Sequence, residues 1–175
     1  MSDAAAPGDA VEAVLEEWRR ECPALDFSPI SVVGRIMRLS RLWDKAIKDF
    51  LAEHGLEPGE FDILSTLRRS GAPYELTAKT FLKSSLVTTG AITLRVDRMA
   101  AKDLVTRVPD AADRRSVRIR LTPHGLETID RVLPLHLANE ARLLDSLSAD
   151  ERRHLAGTLA AVLESHGDTP TGTAR

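Results

Sequence analysis

The chain holds a single cysteine, Cys22, among its 175 residues. It cannot close an internal disulfide, and that composition fits a reducing compartment. No run approaches the ~20 consecutive apolar residues of a bilayer span, and the N-terminus lacks the basic-then-apolar pattern of a secretory leader. No membrane partner is expected, and the expected location is the cytoplasm. Catalytic motifs are missing too: there is no glycine-rich phosphate loop, nucleophile elbow or zinc-protease helix. The five histidines, His54, His124, His136, His154 and His166, show no paired-ligand spacing with cysteine. His136 and Glu140, at i and i+4, form only a weak metal pair; an ordinary helix-surface or interface histidine is the plainer reading. Neither enzyme nor cofactor is called for. Repeats and long linkers are also lacking, so the length suits one domain with helical extensions. A chain of this size buries roughly 70% of its unfolded surface and needs no staples to fold.

The formal charge of −2 looks wrong for a nucleic-acid binder, yet its distribution is uneven. Between Lys79 and Arg120 there are ten basic residues against four acidic ones, a surplus of six. The remainder holds fourteen basic and twenty-two acidic residues, a deficit of eight. A cationic lobe on an acidic body is an electrostatic footprint for phosphate.

Apolar periodicity lays out the elements. Val11, Val14, Leu15 and Trp18 recur at helical spacing over about 10–22, and Pro23 ends that helix. Pro29 opens a second helix running to about Glu53, with Ile36, Leu39, Trp43, Ile47 and Phe50 as its stripe and Gly55 as a left-handed cap. A third helix starts at Pro58 with Phe61, Leu64 and Leu67 pointing one way, until Gly71 stops it. Residues 77–83 read as a short helix, and Thr88 caps the helix that follows. Two strands, 105–108 and 117–121, flank a loop carrying Asp110, Asp113, Arg114 and Arg115. Thr122-Pro123 begins a long helix with Leu126, Ile129, Leu133, Leu137, Ala141 and Leu144 on one side and a kink expected at Pro134. Ser148 and Glu151 form a capping box for a last helix lined by Leu155, Leu159 and Leu163.

A helix followed by a basic-tipped hairpin is the sequence form of a winged helix-turn-helix, mainly α with a small β-wing. The expected layout is a tail over 1–9, an extra helix and linker over 10–28 and a dimerisation helix over 29–54. A DNA-binding region over 55–122, C-terminal dimerisation helices over 123–167 and a tail over 168–175 complete it. Pairing of the terminal arms in a symmetric homodimer would set two recognition helices about 34 Å apart on double-stranded DNA. Thr88, Thr89 and Thr93 are expected to face the groove, while Ile92, Val96 and Met99 recur at core spacing. Arg98 either bonds phosphate or braces the domain. Arg114 and Arg115 are phosphate or minor-groove candidates at the wing tip.

The stretch VDRMAAKDLVTRVPDAADRRSVRIRLTPHG resembles the MarR family of bacterial regulators, and the likeness covers about 29–166. It spans the end of the recognition helix, the wing and the start of the next helix. Asp113-x-Arg115 matches the family's wing motif, which implies an aspartate orienting an arginine into the minor groove. The extra N-terminal helix with Trp18, then Asp62, Arg95, Arg107 and the LPLHLA of residues 133–138, resembles the urate-responsive branch. That likeness implies a ligand set of Trp18, Asp62, Arg95 and Arg107. Leu94 departs from the branch, where a polar Asn precedes the arginine.

Each of these residues also has a plain alternative. Trp18 is a packing anchor unless its indole covers a flat ligand. Asp62 is a surface carboxylate unless it faces a ligand N–H or an arginine. Arg95 contacts phosphate unless it grips an anion, for which a bidentate guanidinium is well matched. The reading is a DNA-binding regulator, expected to repress from a palindromic operator and to be released by a small organic anion. Urate or another purine product comes first, and citrate or aconitate next. The competing reading is a redox sensor at Cys22, whose neighbours Arg19 and Arg20 would favour thiolate.

Overall fold

The computed structural model describes residues 8–77, 80, 92–110 and 117–168, and elements are numbered within these. Two compact units divide between Ala46 and Ile47.

In the first unit, α1 (Ala10–Glu21) is capped by Asp9, whose Oδ1 accepts from Val11 N at 2.8 Å and Glu12 N at 3.0 Å. The helix packs on the first part of α2 (Ser28–Glu53), where a Cβ at Gly34 would sit 3.2 Å from Val11 Cγ1. Arg35 of α2 clamps the start of α1, donating to Asp9 at 2.7 Å and Glu12 at 3.0 Å. Both carboxyls are held below their usual range: Asp9 by Arg35 and then the Glu12 N–H, Glu12 by Arg19 and then Arg35. The expected stripe of α2 divides. Ile36 and Leu39 stay exposed, and so do Val32, Val33, Met37 and Leu42.

In the second unit, Ile47 and Phe50 of α2 pack against a core that includes Leu51, Ile63, Leu64, Leu67, Val96, Met99, Ile129 and Val132. Helix α3 (Pro58–Arg69) begins with proline at its first position, and Glu57 and Glu60 form a capping box. Ile63, Leu64 and Leu67 are sealed, each burial contributing roughly 1.5–3 kcal/mol. Phe61 is partly buried against the same core.

The chain then turns through Tyr74, which adopts a left-handed backbone (φ 60°), into a strand absent from the sequence reading. β1 (Glu75–Thr77) takes Thr77, so the short helix expected over 77–83 does not start there. Thr80 is helical, as expected, and the other positions of that stretch lie outside the described residues. β1 pairs with β3 (Val117–Leu121), and β3 with β2 (Val105–Pro109), giving an antiparallel sheet in the order β1-β3-β2. The register places Glu75 opposite Arg120 and Thr106 opposite the same arginine on the other side. Three residues alternate too briefly to stand out as a strand. What fixes β1 is its ladder to β3, together with Glu75 Oε2 accepting from Arg120 Nε at 2.6 Å.

Helix α5 (Pro123–Leu143) starts at Thr122, whose hydroxyl accepts from Gly125 N at 2.9 Å and donates to the Asp103 carbonyl at 2.5 Å. Gly125 is needed for close approach, because a Cβ there would run into the Leu104 carbonyl. The helix continues through Pro134. The expected row holds over its first half: Ile129 is sealed in the core, and Leu126 and Leu133 pack partly against it. Gly125, Thr128, Val132, His136 and Asn139 are also buried, whereas Leu137 is exposed. The periodicity missed this part of the face because small and polar residues occupy much of the contact. Helix α6 (Ala149–Ser165) carries the expected capping box, with Ser148 N donating to Glu151 Oε2 at 2.8 Å. It buries no residue within the chain.

Candidate DNA- and ligand-binding site

The recognition helix is described from Ile92 onward as α4 (Ile92–Ala101). Val96 and Met99 are buried as their spacing required, which turns Thr93, Leu94, Asp97 and Arg98 outward. Thr88, Thr89, Asp113, Arg114 and Arg115 lie outside the described residues. Leu94 presents an apolar side chain at 53% exposure beside Thr93.

Two contacts hold α4 on the first turn of α3. Just past its C-terminal end, Lys102 Nζ reaches both carboxylate oxygens of Glu60, at 2.8 and 2.9 Å. Glu60 is only 2% exposed, and its second duty is to accept from Glu57 N at 3.0 Å. Toward the other end of α4, the Arg95 guanidinium lies against Gly59, within the volume a Cβ would need. Asp62 is three residues beyond Gly59 and so shares that face of α3. Its carbonyl accepts from Ser65 Oγ at 3.1 Å.

Arg107 approaches α4 from β2. Its Nη1 bonds Asp97 Oδ1, and its Nη2 donates to the Thr93 carbonyl at 3.4 Å. The side chain thus bridges wing and recognition helix. Trp18 belongs to the first unit, where it stacks on Phe27 with centroids 5.8 Å apart and remains 46% exposed. Asp62, Arg95 and Arg107 all belong to the second unit, around α3, α4 and β2.

The cationic lobe is more internally committed than its count implies. Arg118 Nε donates to Asp110 Oδ2 at 3.2 Å and its Nη1 to Glu75 Oε1 at 3.4 Å; Arg120 also pairs with Glu75. With Lys102 and Arg107, four of the six described cations of that stretch are tied to carboxylates. Arg95 and Arg98 have no hydrogen bond or ion pair among the described residues. The sequence reading missed Glu60 and Glu75 because both lie before Lys79, where the basic stretch was counted from. Alternating charge on β3 facing an acid at position 75 was the available signal.

Two other expectations need adjustment. His136 is not a surface histidine: at 7% exposure it packs against Phe61 and Phe50, with Nε2 3.2 Å from Glu140 Oε1. Its Nδ1 and the Asn139 Nδ2 are buried without a partner among the described residues. No group of three or more metal-ligating side chains occurs among those residues either. Cys22 sits half-buried at the end of α1, its N–H donating to the Trp18 carbonyl at 2.8 Å. Arg19, one of the two cations expected to favour its thiolate, is bonded to Glu12 at 2.8 Å.

A core-seated helix, a two-stranded wing and an arginine joining them define a winged helix DNA-binding protein. The chain belongs to the MarR family of transcriptional regulators, whose family model matches residues 54–116. It is 38% identical to the HTH-type transcriptional regulator PecS of Dickeya dadantii over 156 residues, 89% of this chain and 93% of that protein. Among solved structures, AbsC, a MarR family transcriptional regulator from Streptomyces coelicolor, superposes with a TM-score of 0.73 at 23% identity. That match covers 83% of this chain and 98% of AbsC. Bordetella bronchiseptica BpsR, whose DNA binding is described as regulated by 6-hydroxynicotinic acid, superposes at 0.69 and 21% identity. It covers 79% of this chain and 96% of BpsR. The protein is a DNA-binding transcriptional regulator and not an enzyme.

Proposed function

We propose that the chain is a ligand-responsive repressor that binds a palindromic operator as a homodimer and is released by a small organic anion. The arms supply the dimer. Leu155, Leu159, Val162 and Leu163 on α6 stay exposed, as does the row from Val32 to Leu42 on α2, and a second copy would cover them. Major-groove contacts are assigned to Thr88, Thr89 and Thr93, phosphate contact to Arg98, and phosphate or minor-groove contact to the Asp113, Arg114 and Arg115 set.

One observation carries the ligand reading: a guanidinium on the recognition helix, Arg95, rests on α3 without a hydrogen-bond partner among the described residues, while Arg107 is spent on Asp97 and the Thr93 carbonyl. An anion bridging Arg95 and Arg107 compensates two cations at once, with Asp62 accepting from a ligand N–H. Capturing Arg107 breaks its hold on Asp97 and re-aims α4. The anion shifts the equilibrium only by its preference for the re-aimed form; a tenfold preference is worth about 1.4 kcal/mol. The effector classes are urate or a related purine, then di- and tricarboxylates. The aromatic carboxylate named for BpsR is of similar size and charge.

A competition gel shift with urate, citrate, aconitate and salicylate tests this. One or more should release operator DNA from the native chain, and Arg95→Ala and Arg107→Ala should blunt that release. Indifference to every anion would end the reading. Arg19's engagement leaves the Cys22 redox alternative with weaker support, and Cys22→Ser should release normally.

A further inference from the structure

We propose that Gly59 is the positioning residue of Arg95: the side chain missing at this point of α3 is the recess that seats the guanidinium. The inference rests on the reading of Arg95 as the anion-gripping arm.

Three facts isolate the role. First, Gly59 lies in the first turn of a regular helix, where glycine costs about 1 kcal/mol relative to alanine. Secondary structure therefore does not call for it. Second, its backbone does not need it, since the positive-φ glycines among the described residues are Gly55, Gly71 and Gly167. Third, the three heavy atoms nearest a Cβ built at Gly59 all belong to the Arg95 guanidinium, Cζ and Nε overlapping it and Nη1 lying 2.6 Å away. Close approach is the remaining reason for glycine here.

The geometry also says what a methyl group would do. The atoms it displaces are the far end of a flexible side chain, so Arg95 must leave while α3 stays. Helix α4 remains docked, because Val96 and Met99 are in the core and Lys102 is held by Glu60. No hydrogen bond anchors Arg95 among the described residues, so contact with the bare backbone is what sets its resting place. An expelled arginine no longer starts against the bare backbone of Gly59, and the anion must reassemble its own site.

The test uses the full-length protein and its Gly59→Ala, Arg95→Ala and Gly59→Ala/Arg95→Ala variants. Arginine Nε–Hε NMR signals are recorded without any anion, with Arg95 assigned by its loss in Arg95→Lys. The Arg95 signal should move in Gly59→Ala, while the Tm stays equal or rises. In operator competition with urate and with citrate, Gly59→Ala should need at least tenfold more anion for half-release. The double variant should match Arg95→Ala alone. An unmoved Arg95 signal, a Tm lowered by several degrees, or additive effects in the double variant would each overturn the inference. If the native protein ignores every anion, the proposed function fails by itself; the NMR signal and the operator affinities of the four proteins still decide whether Gly59 seats Arg95.

Discussion

Helices α3 and α6 make opposite use of the same residue. In α3, Leu64 and Leu67 are fully sealed by the chain's own core. In α6, Leu155, Leu159 and Leu163 follow an equally regular spacing and none is buried. Periodicity therefore reports that a face must be covered, but not by which chain. Among the described residues, the apolar face of α3 is closed within one copy and that of α6 is not.

The sharpest way to break that contrast is to charge the arm. Leu159→Glu with Leu163→Glu should leave helix content and the head's fold intact while the protein elutes as a monomer. Operator affinity should fall by about 10²–10⁴, the avidity that joins two half-site contacts. Light scattering and fluorescence anisotropy read both effects. A dimer persisting after this change would move the partner-facing surface elsewhere.

Truncations separate the two helices again, with smaller effects. Leu64→Ala should cost about 2–5 kcal/mol at any protein concentration, since its cavity lies within the chain. Leu159→Ala should produce a loss that grows on dilution, as a dimer-linked contact requires. Denaturant midpoints measured over a hundredfold range of concentration distinguish them.

The wing shows the same division for charge. Glu75, with its side chain 14% exposed, is the shared acceptor for Arg118 and Arg120. Glu75→Gln should destabilise the protein by about 1 kcal/mol, because Arg118 and Arg120, at 34% and 43% side-chain exposure, can turn to water instead. It should also raise non-specific DNA affinity at low salt, because two arginines are released from an acid. A fall in that affinity would mean the arginines reach phosphate only when Glu75 orients them.

What the sequence disclosed follows from how local each signal is. The LTPHG stretch was legible because four of its five residues have a task at this one corner of the chain. Leu121 is buried, Thr122 caps α5, Pro123 opens it and Gly125 clears the Leu104 carbonyl. Val96 and Met99 were likewise fixed by spacing alone. β1 was not legible, since three residues gain strand character only from a partner over forty positions away. The roles of Glu60 and Gly59 were hidden for a related reason. Each acts on a residue more than thirty positions ahead, and neither glycine nor a capping glutamate announces a distant contact. His136 was misplaced because Phe50 and Phe61, which cover it, come from two other helices.

The smallest expected effect lies in the first unit, where α1 is fastened to α2 by charge as well as by packing. Arg35 and the α1 backbone hold Asp9 below the ordinary carboxylate range, while Arg19 and then Arg35 do the same for Glu12. Folded-state values below the unfolded ones mean the contribution is present above the usual carboxylate pKa of about 4 and is lost as pH falls through the depressed values. Both carboxylates are solvent-exposed, so screening keeps the gain modest and salt should weaken it. In a Trp43→Phe background, Trp18 emission reports its stacking on Phe27 within this unit. Acidification below about pH 4 should shift that emission in the parent. Arg35→Ala should show part of the shift already at neutral pH, with a shallower acid transition. Identical acid profiles for the two proteins would assign the fastening of α1 to Val11 and Gly34 rather than to the ion pairs.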